Sequence, residues 1–583
     1  MRRLVGTVAA LVTVLLVVPA LAFAAKPPPK DNDTTVQLLA INDFHGHVQA
    51  NTPGTIPTGP GTTVPAGGAE YLATHIKTLR TQNTNTITVG SGDLIGASPL
   101  LSGLFHDEPA IEALNVVGID VSGVGNHEFD EGLAELYRMM NGGCHPVDGC
   151  QDQTPFAGSV FGYLAANVFF QGTNDTVLPP YEVHKIDNSK IAFIGLTLEG
   201  TPSIVVPSAV AGLDFRDEVE TVNALVNKLR NEQGVRAFVV LLHQGGFQNG
   251  PFSRGFVDPN GCEGMGGEII DIADGLSDQV DVIVSGHTHA HYICDGAEAI
   301  HGKVVTSASS FGRLVTDIDL VIDHQTKDVK AATARNVIVT QNVAKDPAVT
   351  AIIDHYNTIA APIANRVVGS VTEDLLSARD NTPPLVGDPD RDGEASLGNI
   401  VADSQLEATA PTDFGGAVIA FMNPGGIRVP VLYNQISGGE LPGQVTYGEL
   451  FNVQPFGNTL VVKTCTGAQI QALLEQQVWP TATASGRVLA VSRGFHYTWD
   501  ATRPAGDKVI NSTVTLNGNP IADAQSYRVE MNSFLASGGD GFTVFAQCTD
   551  QLGGEIDLDA LARYFMAHSP ISPPTEDRIT RLN

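Results

Sequence analysis

Five short segments of this chain close apolar runs with residues that bind metal ions or carry protons. They are Asn42-Asp43-Phe44-His45-Gly46, Gly90-Ser91-Gly92-Asp93, Gly125-Asn126-His127-Glu128-Phe129-Asp130, Leu242-His243-Gln244 and Ser285-Gly286-His287-Thr288-His289. Asp43 and His45 are two apart at the end of a strand-like run, and so are His287 and His289. On a strand that spacing sends both side chains to one face. Asp93 follows glycines that let the backbone approach an ion or a phosphate closely, and its two oxygens can bridge two cations. Asn126 offers a neutral oxygen ligand. His127 and Asp130 have the spacing of an imidazole and the carboxylate that fixes its tautomer. Taken singly, each segment has a plainer reading: a turn at Asp43 and Asp93, a helix start capped by Asn126, a packed core histidine at His243. Their joint occurrence, in order and each after an apolar run, reads as one two-metal site. Imidazole, carboxylate and amide donors suit paired Zn, Mn, Fe or Co ions, and such pairs act on phosphate esters.

The elements that must hold these residues alternate along the chain. Short β-branched runs at 36–41, 86–89, 121–124, 191–196, 237–242, 280–284 and 303–306 read as strands buried on both faces. Segments 69–80, 108–117, 131–141 and 217–231 read as helices. This order predicts an α/β layered N-terminal domain over 36–342, with its site at the C-terminal strand ends. A helical connector is expected over 343–370, with Ile352, Ile353, Tyr356, Ile359 and Ile363 at helical spacing and Pro362 kinking or ending it. A mixed α+β C-terminal domain is expected over 371–575. Residues 55–68 read as a Gly/Pro/Thr loop with no visible task.

A chain of 583 residues is too long for one core. Its net charge of −30 disfavours nonspecific binding to nucleic acid or to anionic membranes. That charge does not exclude an anionic substrate, because divalent ions and local arginines can reverse the field inside a cleft. Residues 1–25 read as a cleaved secretory signal: Arg2 and Arg3 precede an apolar run that ends in Ala22-Phe23-Ala24. The competing reading is an uncleaved anchor. The expected location is therefore extracellular or periplasmic, with no stable membrane anchor. Six cysteines lie beyond the signal. Of fifteen possible pairings, 144–150, 262–294 and 465–548 are expected, and the absence of any C-x-x-C spacing argues against a thiolate zinc site.

The five segments resemble those of the calcineurin-like metallophosphatases. The fuller match, over nearly all of the mature chain, is to the secreted 5′-nucleotidase family, whose members include UDP-sugar hydrolases. The resemblance implies α/β/β/α layering for the first domain. It implies one ion held by Asp43, His45, Asp93 and His289, and another held by Asp93, Asn126, His243 and His287. His127 and Asp130 match the family's catalytic pair. In the second domain, Phe456 and Phe534 match the rings that sandwich the base, Asn458 lines that pocket, and Asn423 and Asp540 match nucleoside contacts. Arg391 and Arg428 match phosphate-binding arginines, and a guanidinium grips phosphate in a bidentate way. Two departures stand out: Pro424 replaces a glycine after Asn423, and Gly387 stands where relatives can carry a further arginine. Asp388-Pro389-Asp390-Arg391-Asp392-Gly393 also fits the opening of a calcium loop, without the closing Glu. The expected activity is phosphate release from nucleoside 5′-monophosphates. Alternatives on the same scaffold are a 2′,3′-cyclic-nucleotide phosphodiesterase with 3′-nucleotidase activity and a UDP-sugar hydrolase. Non-enzyme alternatives are a nucleotide- or metal-binding surface protein and a structural adhesin. Oligomeric state is open at this point.

Overall fold

Side-chain alternation builds the first layer. In strand Thr34–Ile41, Leu38 and Ala40 face one core while Leu39 and Ile41 face another. Both faces are covered, so the run is apolar throughout. The computed structural model describes residues 33–51, 54–205, 209–249, 257–377, 393–479 and 486–583. The expected signal at 1–25, Arg391, Gly387 and the calcium-type loop up to Asp392 lie outside the described residues.

Two six-stranded sheets form the N-terminal half. The first runs Val329–Ile338, Leu314–Ile322, Thr34–Ile41, Thr86–Ser91, Val121–Gly123, Gly162–Leu164. The second runs His291–Cys294, Val304–Ala308, Val282–Ser285, Ala237–His243, Ser189–Thr197, Tyr181–Ile186. Their central strands are parallel, and antiparallel strands close the edges. The sheets pack face to face through residues such as Leu38, Val89, Phe193, Val239 and Val284. Helices Ala69–Arg80, Glu108–Val117 and Leu133–Asn141 cover one outer face. Helices Glu218–Gln233 and Glu268–Gly275 cover the other. The layering is α/β/β/α, as the resemblance implied.

Several boundaries differ from the sequence expectation for local reasons. The helix expected at 131 starts at Leu133, because Gly132 at φ +87° cannot continue a helical turn. Asp217 caps the next helix by accepting from Glu220 N, so the helix proper starts at Glu218. The 55–68 loop is instead a hairpin of Thr55–Gly59 and Thr62–Pro65, with Ile56 buried as its anchor. Helix Pro347–Ala364 is capped by Asp346, and Pro362 lies in its last turns rather than kinking its middle. Val349, Ile353, Tyr356 and Ala360 bury it in the N-terminal core.

The C-terminal half is mixed α+β. A five-stranded sheet, Ala490–Val491, Ile419–Met422, Ser526–Asn532, Thr459–Thr466 and Thr549–Ile556, carries helices Ser396–Thr409 and Asp557–His568. Three disulfides join Cys144 to Cys150, Cys262 to Cys294 and Cys465 to Cys548, the pairing expected from sequence. The last spans 83 positions and lies in the core. Chain-entropy arguments give such a link about 4 kcal/mol. Cys465→Ala with Cys548→Ala is therefore expected to lower the guanidinium midpoint of the C-terminal half. An unchanged midpoint would show that the link constrains nothing.

Candidate metal centre and its neighbours

The parallel strands of both sheets end at one edge, and each releases its loop there. Ser91 Oγ ties these ends together by donating to Leu242 O at 3.0 Å and Val284 O at 2.8 Å. Asp43, His45, Asp93, His287 and His289 all have φ between +48° and +70°. Such conformations in non-glycine residues persist where the surroundings dictate them, and they cluster at functional sites. This corrects the period-two argument for Asp43/His45 and His287/His289. The strands end at Ile41 and Ser285, and the pairs converge through left-handed turns rather than strand alternation.

Donor atoms of Asp43, His45 and His289 lie within 4.8 Å of one another, as do those of Asp93, His243 and His287. Asp93 Oδ2 connects the groups, 2.9 Å from His243 Nε2 and 3.6 Å from His45 Nε2. Asn126 Oδ1 lies 3.1 Å from His287 Nδ1. Asn126 makes no side-chain cap bond to the short helix His127–Phe129, so the cap reading is set aside.

The ring orientations fit a metal centre. His243 Nδ1 pairs with Ser91 O at 2.8 Å and must donate there. Its Nε2 is buried and faces Asp93 Oδ2 at 2.9 Å. His45 Nδ1 likewise donates to Gly96 O at 2.8 Å, leaving its Nε2 3.0 Å from His289 Nε2. Two ring nitrogens this close, beside the Asp43 and Asp93 carboxylates, are donors that a cation can share. Burial pushes His45 down to about 3 and His287 down to about 4, and holds His289 well below the usual range. These rings are neutral, as ligation requires. Burial also opposes charge on His243, but Asp93 raises it to about 10. A divalent ion in place of that proton serves the same carboxylate.

His127 Nδ1 lies 2.7 Å from Asp130 Oδ2. Burial opposes the charged ring, yet Asp130 and Asp93 raise its pKa above the usual value. Its backbone N donates to Asp93 Oδ1 at 2.9 Å, so the pair is built onto the connecting carboxylate. Two further residues escaped sequence reasoning. Glu128 is buried and accepts from the backbone N of Asp93, Leu94 and Gly125 at 2.9, 2.8 and 2.5 Å. Asp107 accepts from Gly96 N at 2.8 Å and so fixes the carbonyl that holds His45.

The C-terminal half reaches this centre. The Phe456 ring stacks on His127 at 5.9 Å, 19° from parallel. The Arg428 guanidinium lies 5.5 Å from the Phe456 centroid, and its charge acts on His45, His127 and His289. Pro424 opens a short helical turn, and Gly425 O accepts from Arg428. Asn423 Nδ2 donates to Asp540 Oδ2 at 2.9 Å, and Asn532 Nδ2 to Asn423 Oδ1 at 3.0 Å. Asn458 Oδ1 accepts from Ser533 Oγ, next to half-buried Phe534. Arg391 lies outside the described residues.

Two packed sheets thus carry Asp, Asn and His side chains together at one edge. Residues 36–291 match the calcineurin-like phosphoesterase family, and residues 367–547 match the C-terminal domain of 5′-nucleotidases. The chain belongs to the 5′-nucleotidase family of metal-dependent phosphoester hydrolases. It is 31% identical over 548 residues to Endonuclease YhcR of Bacillus subtilis, an alignment covering 93% of this chain and 41% of the relative. It is 32% identical over 550 residues to Cell wall protein Lmo0130 of Listeria monocytogenes, covering 91% and 66%. The chain therefore spans less than two thirds of these relatives' length. A 5′-nucleotidase precursor from Thermus thermophilus superposes with a TM-score of 0.71 at 25% identity, covering 94% of this chain and all of that one. Among the described residues, no helix is long and apolar enough to cross a membrane.

Proposed function

We propose that this chain hydrolyses nucleoside 5′-monophosphates to nucleoside and phosphate, with two divalent ions as cofactors. Asp43, His45, Asp93 and His289 would hold one ion, and Asp93, Asn126, His243 and His287 would hold the other. When bound, ions of this kind activate water and draw off charge from phosphoryl oxygens. The observation that carries the reading is the meeting of the two halves at His127, where Phe456 stacks and Arg428 lies beside it. A guanidinium binds a phosphate, and a flat ring accepts a base by stacking, so the pair suits a phosphate ester that carries a ring.

His127, oriented by Asp130, is suited to stabilise charge at phosphorus or to protonate the leaving 5′ oxygen. Water supplies the new P–O bond, the ester P–O bond breaks, and the proton ends on the nucleoside. Arg428, with Arg391, binds phosphate. Asn423 and Asp540 bind the nucleoside, while Asn458, Phe456 and Phe534 form the base pocket. Because the site draws on both halves, closure about helix Pro347–Ala364 accompanies binding. The basic and apolar leader at 1–25 and the three disulfides support export to an oxidising compartment.

The test is a panel of AMP, 3′-AMP, 2′,3′-cyclic AMP, UDP-glucose and single-stranded DNA, run on metal-free protein restored with single metals. AMP is expected to give the highest kcat/KM. A cyclic nucleotide, UDP-glucose or DNA in first place would replace this reading, and no turnover with any metal would leave a binding protein. Arg428→Ala is expected to lower kcat/KM for AMP about 10- to 100-fold, the worth of a charge-assisted hydrogen bond, with metal content unchanged. A change below twofold would remove Arg428 from the phosphate site.

A further inference from the structure

Away from the candidate ligands, a hydrogen bond joins the two halves. Leu100 N donates to Asn452 Oδ1 at 3.0 Å. Leu100 opens the short helix Leu100–Gly103, whose first amides have no acceptor within the helix, and Pro99 before it makes no side-chain cap bond. Asn452, on helix Tyr447–Val453 of the C-terminal half, supplies that acceptor. Packing extends the contact on both sides. A β-carbon placed on Gly103 would stand 3.0 Å from Phe451 Cζ, and one placed on Gly448 would stand 3.4 Å from Leu100 Cδ2. Side chains of each half therefore rest on bare backbone of the other.

Both partners in this contact are tied to the site. On the N-terminal side, Ser102 Oγ donates to Asp107 Oδ1 at 2.6 Å, and Gly96 N donates to Asp107 Oδ2 at 2.8 Å. Gly96 O accepts from His45 Nδ1, and a β-carbon placed on Gly96 would lie 2.7 Å from His127 Cβ. On the C-terminal side, Val453 O accepts from Arg428 N at 2.9 Å, and the chain runs on from Val453 to Phe456. A capping box of Thr446 and Glu449 fixes the other end of helix Tyr447–Val453. There Tyr447 N donates to Arg366 O at 2.9 Å, just beyond helix Pro347–Ala364. The helix thus runs from the connector to the two groups that reach His127.

We propose that Asn452 is a positioning residue: by docking helix Tyr447–Val453 on segment 96–107, it seats Phe456 over His127 and sets Arg428 beside it. This rests on the substrate-binding roles proposed above for Phe456 and Arg428. A ring stack tolerates lateral slip, whereas a hydrogen bond weakens steeply with distance and angle, so Asn452 sets the register between the halves. Register matters because a misplacement of about 1 Å can cost about 100-fold in rate.

Hydrogen exchange of the full chain reads the contact directly. The Leu100 amide is expected to exchange at least about fivefold faster in Asn452→Ala than in wild type. It is expected to keep the wild-type rate in Asn452→Asp, which retains an oxygen acceptor. Kinetics with the best ester of the panel above read its purpose. Asn452→Ala is expected to lower kcat/KM about tenfold with metal content unchanged, and Asn452→Asp to restore it. In a background of Arg428→Ala with Phe456→Ala, the same Asn452→Ala change is expected to cost less than about twofold, because the groups it seats are gone. A role confined to fold stability would move the melting temperature and cost the same factor in both backgrounds. Equal Leu100 exchange in wild type and Asn452→Ala, or equal losses in both backgrounds, would overturn the proposal. Preference for an ester other than AMP would overturn the 5′-nucleotidase reading alone, since the exchange and the cycle hold for any ester. Without turnover of any ester, the same cycle is read on AMP affinity.

Discussion

Asp93→Asn is expected to empty both halves of the centre at once. Its Oδ2 lies 2.9 Å from His243 Nε2 and 3.6 Å from His45 Nε2, nearer to both than Asp43 Oδ1, which is 4.0 Å from each. The amide keeps the shape of the side chain but removes the negative charge and places a donor where lone pairs converge. Loss of a residue that merely orients a ligand typically costs about 10- to 100-fold in metal affinity, so loss of a shared ligand costs more. Metal content of this centre after dialysis is expected to fall to less than one ion per chain. Turnover of phosphate esters is expected to fall more than 100-fold with it. The fold survives, because the backbone N of Asp93 remains held by Glu128 at 2.9 Å. Two ions per chain and ordinary turnover would mean that Asp93 is not the connecting ligand.

His127→Ala is expected to separate chemistry from metal binding. His127 is outside the Asp43/His45/His289 and Asp93/His243/His287 groups; a donor atom of it lies within 4.8 Å of His45 and Asp93, but its 2.7 Å contact is with Asp130. A positioned acid or base contributes about 10²- to 10⁴-fold, so kcat is expected to fall by that amount with two ions retained. Asp130→Asn keeps the ring but loses the charge that favours its protonated form. Its kcat is expected to lie between wild type and His127→Ala. Metal analysis beside steady-state kinetics decides the matter. Near-normal kcat in His127→Ala would end its catalytic role, and loss of metal would recast it as a support for the ligands.

The candidate ligands were legible because their signals are local. An apolar run ending in Asp-Phe-His or Gly-His-Thr-His is visible in a few residues, and the same is true of helix 69–80 and of the hairpin cysteines 144 and 150. Glu128 and Asp107 were not legible in that way. An acid at a helix start has an ordinary local explanation, and its real partners, Leu94 N and Gly96 N, are reached only through folding. Asn126 shows the same limit in reverse, since its local reading as a cap was displaced by a contact with His287, 161 positions away.

By itself, the chain's order of residues determined the alternation of strands and helices, the residue types at the strand ends and the chemistry those types allow. Side-chain periodicity and backbone sterics act over a few residues and can be read directly. Only the tertiary structure decided which strand ends meet, how left-handed turns aim Asp43 and His289 at one place, and that Phe456 comes to rest on His127. Those outcomes depend on sheet order and on packing between halves, where contacts hundreds of residues apart compete and no local rule chooses among them.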